Sequence, residues 1–213
     1  MNTIAELRAM TGAGIVDCKK ALDEAAGDMT KAAEILRKKG IAKASSKGDR
    51  VTKEGMVSSY IHGEGRVGVL VEVLCETDFV ARTEQFKEFV HEVALQISAS
   101  NPLYINSEAV PSEVIEKEKE LAMAEFEGSS KPKEMLDKIA EGKLSKYYSE
   151  VCLLNQAYIK DEKGIAVGKF LAERITKTGE NIVVRRFSRF ELGEGLAKKD
   201  DDFVAEVERM AQG

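Results

Sequence analysis

The stretch Val69-Leu70-Val71-Glu72-Val73-Leu74-Cys75-Glu76-Thr77-Asp78-Phe79-Val80-Ala81 leaves this chain few choices. Its first seven residues are almost continuously aliphatic and β-branched, the pattern of a strand buried in a sheet. Thr77 or Asp78 then offers a side-chain oxygen for the first free N–H groups of a helix. Phe79 follows at the junction, where spacing alone reads it as a core ring but where a side chain can also point outward.

The rest of the chain supplies partners for that strand. Gly55 to Ile61 is a second strand, joined to Val67–Cys75 through His62-Gly63-Glu64-Gly65-Arg66, and Asn181 to Phe190 is a third. Phe86, Phe89, Val90, Val93, Ala94 and Ile97 recur at helical spacing and form an apolar face for packing on a sheet. Charged helical stretches follow from Val114 to Phe126 and from Met135 to Tyr148, with Pro132 able to open the second. A shorter helix is expected near Val167 to Ile175, and a last one over 201–211 with Phe203, Val204, Val207 and Met210 inward. Strands and helices mixed in this way predict an α+β fold, with helices on one face of a small antiparallel sheet.

Ahead of this core, the first forty residues read as three short helices. Ile4, Leu7 and Met10 share a face, with Thr3 and Glu6 at capping-box spacing. Ile15, Cys18, Leu22 and Ala25 share the next, and Asp28 caps a third helix bearing Ala32, Ile35 and Leu36 before Gly40. Residues 43 to 53 carry Lys43, Lys47, Arg50 and Lys53 and read as a solvated linker. The expected domains are therefore 1–54, a three-helix module with its basic linker, and 55–213, an α+β core that includes a C-terminal helix.

Several functions are disfavoured. Gly63-Glu64-Gly65-Arg66-Val67-Gly68 satisfies GxGxxG, but it links two strands instead of opening a helix, so no pyrophosphate site is expected. Cys18, Cys75 and Cys152 lie far apart, which excludes metal-ligand spacing and suits a reducing compartment. No apolar run approaches the roughly 20 residues of a membrane span. No secretory segment is evident at the N-terminus, so the cytoplasm is expected. A net charge of −5 argues against direct nucleic-acid binding. No nucleophile–base set or close carboxylate pair stands out, so bond-making catalysis and a cofactor are not expected.

Two motifs carry a resemblance. The run Glu76-Thr77-Asp78-Phe79-Val80-Ala81, with Thr11-Gly12-Ala13-Gly14-Ile15-Val16-Asp17-Cys18-Lys19-Lys20-Ala21-Leu22, resembles the bacterial elongation factor Ts family, over nearly the whole chain. The resemblance implies a ubiquitin-associated-like N-terminal module and a guanine-nucleotide exchange factor for elongation factor Tu. It implies that Thr77, Asp78, Phe79 and Val80 meet the partner's nucleotide domain, with Phe79 as a wedge. It also implies contacts from His62, which spacing alone reads as a turn residue, and from Asp17 and Lys19. Ile159, Lys160, Thr178 and Gly179 are looser matches. Longer family members duplicate the core, with the Thr-Asp-Phe and His-Gly elements in different halves. Here both occur in one short core, so a homodimer in a 2:2 complex is expected. The alternative is an adaptor that binds RNA or a ubiquitin-like protein through the basic linker or the three-helix module.

Overall fold

The computed structural model describes residues 3–126 and 132–196. The helix expected over 201–211 lies outside the described residues. Three helices open the chain, α1 Thr3–Thr11, α2 Ile15–Glu24 and α3 Met29–Ser45. A hairpin follows, β1 Glu54–His62 and β2 Val67–Cys75, then the four-residue α4 Asp78–Ala81 and the long α5 Glu84–Ser100. Helices α6 Ser112–Ala124 and α7 Lys133–Val151 lie against each other, before α8 Val167–Thr178 and β3 Ile182–Glu191 complete the α+β fold.

The sheet is antiparallel in the order β1-β2-β3, so β2 is central, as its aliphatic content requires. Val69, Val71, Val73 and Cys75 are buried on one face. They meet α5, whose expected apolar face is buried in full: Phe86, Phe89, Val90, Val93, Ala94 and Ile97. Each of the larger of these side chains contributes about 1.5–3 kcal/mol relative to exposure. Phe170, Leu171 and Ile175 of α8 close the same cluster.

The opposite face of the sheet has no helix on it among the described residues. Alternation places Gly68, Leu70 and Glu72 there, and the register sets Ile61 and Phe190 on either side of Gly68. Val57, Ile61, Leu70 and Phe190 are all exposed. Glu72 meets Arg185 and Arg186 on this face, next to the irregular register between Glu72 and Val73.

A second cluster, Leu7, Cys18, Ala21, Leu22, Ala25, Ala32 and Leu36, holds the three N-terminal helices together. Two residues expected inward, Met10 and Ile15, are exposed instead. Each sits at the last or first turn of its helix, where three short helices cannot surround every apolar position. Asp28 caps α3 as expected, accepting from the N–H groups of Thr30 and Lys31 at 2.9 and 3.0 Å.

The third helix does not stop at Gly40. Gly40 lies inside α3, where its missing side chain lets α8 approach: a Cβ there would sit 3.1 Å from Thr176 Oγ1. Thr176 donates to the Gly40 carbonyl at 3.0 Å. Nor is the stretch after Gly40 simply solvated. Ala44 is buried in the core cluster, and the carbonyls of Gly48 and Arg50 accept from the Asn181 amide at 3.2 and 3.0 Å.

Candidate functional site

At the end of β2 the ladder runs out with Cys75 opposite Ile182. Beyond it, side chains continue the pairing. Glu76 reaches across to accept from the Asn181 N–H at 2.6 Å. In return, Glu180 accepts from the Thr77 N–H at 3.0 Å and from the Thr77 hydroxyl at 2.6 Å. The Cys75 thiol donates to the Thr77 carbonyl at 3.2 Å, and burial, with Glu180 near, pushes that thiol up to about 11.

This frame sets up α4. Thr77, not Asp78, is the cap: its Oγ1 accepts from the Val80 N–H at 3.4 Å. Asp78 stands in the first turn, where a carboxylate suits the free N–H groups, and pairs with Arg82 at 2.9 Å. Val80 and Ala81 turn toward the core. Phe79 turns away from it and is 81% exposed. The outward reading of this ring therefore holds, and the core reading does not. Thr83 then caps α5 through the Phe86 N–H at 3.2 Å, so the chain is fixed on both sides of the projecting ring.

Thr178 and Gly179 lie beside this tip. Gly179 is the left-handed C-cap of α8, at φ 79°, a conformation that glycine adopts without a Cβ penalty. Its carbonyl accepts from Lys47 at 2.6 Å. Burial and the neighbouring Arg50 push the Lys47 ammonium below its ordinary range. A line of contacts continues into the N-terminal module, where Lys43, one turn before Lys47, donates to Asp17 at 2.9 Å. That hydrogen bond holds the Asp17 carboxyl below the usual value. Lys19 is exposed on the same helix.

Two expected positions lie elsewhere. His62 ends β1 at the opposite end of the sheet, its Nδ1 3.0 Å from the Tyr60 hydroxyl. Tyr60 also meets the ring of His91 edge-on, which gives that exposed histidine an aromatic neighbour. Ile159 and Lys160 are pinned to the middle of α5: the Ile159 N–H donates to Gln96 at 2.9 Å and Lys160 to Glu92 at 2.7 Å. Glu92 also accepts from the Tyr158 hydroxyl at 2.6 Å. Burial raises the Glu92 carboxyl, but Lys160 and Tyr158 outweigh it and the net direction is down.

The basic stretch that motivated the RNA alternative is largely engaged within the chain. Lys43 meets Asp17, Lys47 meets the Gly179 carbonyl, and Arg50 meets Glu76 at 3.4 Å. The residues that sequence reasoning missed are Glu180 and Asn181. Their signal was faint: a carboxylate and an amide between a helix-ending glycine and a strand, where side chains often replace backbone pairing.

The fold and tip define an α+β protein whose most exposed aromatic ring, among the described residues, is carried on a capped turn outside its core. The family model described as "Elongation factor TS" matches residues 30–194. An elongation factor Ts of Carboxydothermus hydrogenoformans is 56% identical over 204 residues, covering 96% of this chain and 94% of that protein. Those of Geobacter metallireducens and Caldanaerobacter subterraneus are 53% and 56% identical, covering 98% and 92% of this chain and 96% and 97% of theirs. The chain belongs to the elongation factor Ts family and serves translation elongation.

Proposed function

We propose that this protein is a guanine-nucleotide exchange factor that binds GDP-loaded elongation factor Tu in the cytoplasm and speeds GDP release, without bond chemistry of its own. The observation that carries this reading is Phe79, a large ring held outside the core beside Asp78. In the partner, GDP is gripped by a phosphate-binding loop and by Mg²⁺ with its ligand shell. A stiff apolar ring wedged between helices near that site displaces both, and has only two side-chain torsions to order. Thr77 fixes the turn, Val80 anchors it, and Asp78 faces the partner's donors. Asp17 and Lys19 add contacts from the N-terminal module.

Linkage sets the scale. If the factor weakens GDP binding, GDP weakens the factor's binding equally. A thousandfold loosening needs about 4 kcal/mol of coupling, within reach of one strong hot-spot residue and a few secondary contacts.

The exchange unit is a homodimer meeting two partner molecules. The exposed sheet face bearing Val57, Ile61, Leu70 and Phe190 offers a self-complementary patch for a two-fold contact. His62 and Phe79 flank opposite ends of β2, a strand of 9 residues that spans about 26 Å at roughly 3.3 Å per residue. Two chains can thus present the ring of one and the histidine of the other to one partner. Light scattering at micromolar concentration checks this, with a mass of 23.4 kDa at all concentrations removing the dimer.

The function itself is tested by release of labelled GDP from elongation factor Tu, with and without this protein. Release that stays at the unassisted rate at saturating protein removes the exchange reading.

A further inference from the structure

We propose that Glu180 is a positioning residue for exchange: its carboxylate grips Thr77 from outside the tip and so fixes the direction in which Phe79 points. The inference rests on the exchange reading above, and assigns to Thr178 and Gly179 the role of presenting Glu180 instead of touching the partner.

With four residues, α4 closes barely one turn, and nucleation of so short a helix is unfavourable. Its own cap is weak, since Thr77 Oγ1 receives the Val80 N–H only at 3.4 Å. Phe79, 81% exposed, has little packing to orient it. Local forces therefore leave the ring's direction poorly fixed.

Glu180 supplies what is missing. Both its oxygens are engaged on one residue, Oε2 by the Thr77 N–H at 3.0 Å and Oε1 by the Thr77 hydroxyl at 2.6 Å. Hydrogen bonds to an ionised carboxylate are about twice as strong as neutral ones. Because the hydroxyl donates to Glu180, its lone pairs are left for the Val80 N–H, so grip and cap operate through the same oxygen. The residue is aimed by its neighbours. Gly179 takes the left-handed conformation that ends α8, and the Thr178 hydroxyl accepts from the Glu180 N–H at 3.4 Å. Across the gap, Glu76 takes the Asn181 N–H at 2.6 Å, so the two segments hold each other from both sides.

The test pairs a kinetic reading with a spectroscopic one. Phe79 is replaced by 4-fluorophenylalanine, and its fluorine resonance is recorded in the free protein with Glu180, Glu180→Gln and Glu180→Ala. GDP release from elongation factor Tu is measured for the same three side chains with an unlabelled ring. In Glu180→Ala the resonance is expected to shift or broaden and stimulated release to fall about 10- to 100-fold, the loss expected on removing hydrogen bonds to a charged group. Glu180→Gln keeps one accepting oxygen and should fall between. It also decides the question if the alanine variant fails to fold. An unchanged resonance in a folded variant overturns the proposal, and so does a changed resonance with undiminished exchange. If the parent protein itself does not accelerate GDP release, the exchange reading fails. The fluorine resonance then still decides whether Glu180 sets the ring.

Discussion

The two ends of β2 carry candidate contact residues that are built in opposite ways. At the His62 end the histidine itself is held locally: a hairpin turn joins adjacent strands, and the ring leans on Tyr60, two residues away. The residue after β3 also reaches the turn, where the Leu192 N–H donates to the Arg66 carbonyl at 2.8 Å. At the Phe79 end the local caps at Thr77 and Thr83 are joined by restraints from far along the chain. Thr77 is held by Glu180, Glu76 by Asn181, and the Asn181 amide by carbonyls of the segment leaving α3. A locally built element survives damage elsewhere, whereas one assembled from three distant segments reports on all of them. The N-terminal module is thereby tied to the tip in addition to any contact it makes itself.

Removing the ring should give the largest effect. Phe79→Ala is expected to lower stimulated GDP release about 30- to 900-fold, the range of a hot-spot side chain worth roughly 2–4 kcal/mol. Its thermal unfolding should stay within about 0.5 kcal/mol of the parent, as for other surface changes. A large loss of stability with little loss of exchange would reverse the contrast, making Phe79 a structural residue.

Truncation sharpens the contrast next. Deleting residues 1–42 removes most of the N-terminal module but keeps Ala44, Gly48 and Arg50, whereas deleting 1–50 takes them too. The longer deletion leaves the Asn181 side chain, only 2% exposed, without either acceptor. Each of those hydrogen bonds is worth about 0.5–1.5 kcal/mol, and Ala44 is lost from the core cluster as well, so the 1–50 deletion should unfold at lower denaturant than the 1–42 deletion. The loss of order should appear at Phe79 before it appears at His62. Equal midpoints would show that the segment after α3 does not brace the core.

These dependencies explain which parts of the molecule were legible in its sequence. The α5 face and the central strand announce themselves through period and composition, because burial of those side chains decides their structure. The hairpin at Gly63–Gly68 was equally plain. The continuation of α3 past Gly40 was not, because a glycine that normally ends a helix here serves a close crossing with Thr176. The outward direction of Phe79 could not be read from spacing either, since a phenylalanine after a cap satisfies a core pattern equally well. The role of Glu180 was only faintly marked for a related reason: its partner is 103 residues away, and no local pattern encodes a pairing at that separation.

A smaller effect is expected at the other end of the sheet. His62→Ala should reduce exchange by about 3- to 10-fold, the weight of one interface contact of roughly 1 kcal/mol, with no change in the fluorine resonance at position 79. If the dimer shares its sites, a mixed dimer of Phe79→Ala and His62→Ala chains keeps one composite site intact. It should then exchange at about half the parent rate. Mixing that gives no recovery would assign both contacts to one chain.

The smallest effect, and the one that most directly separates the two ends, is their response to acid. The Asn181 N–H, with Arg50 beside it, holds the Glu76 carboxyl below its ordinary value of 4.5. A carboxyl with a depressed folded-state pKa favours folding above its unfolded value and loses that contribution as pH falls through the lower, folded one. Glu76 therefore supports the tip near neutral pH, and this support fades only below about 4.5. Replacing it by Gln should lower the unfolding midpoint near neutrality, and the difference from the parent should shrink as the pH is lowered past that value. In the parent, the fluorine resonance at position 79 should begin to move in the same window. A 4-fluorophenylalanine at position 190, on β3 opposite Gly68 at the His62 end, should stay still until the whole protein unfolds. Both probes moving together would mean that the sheet transmits the change from end to end, and that the tip is not an independently braced element.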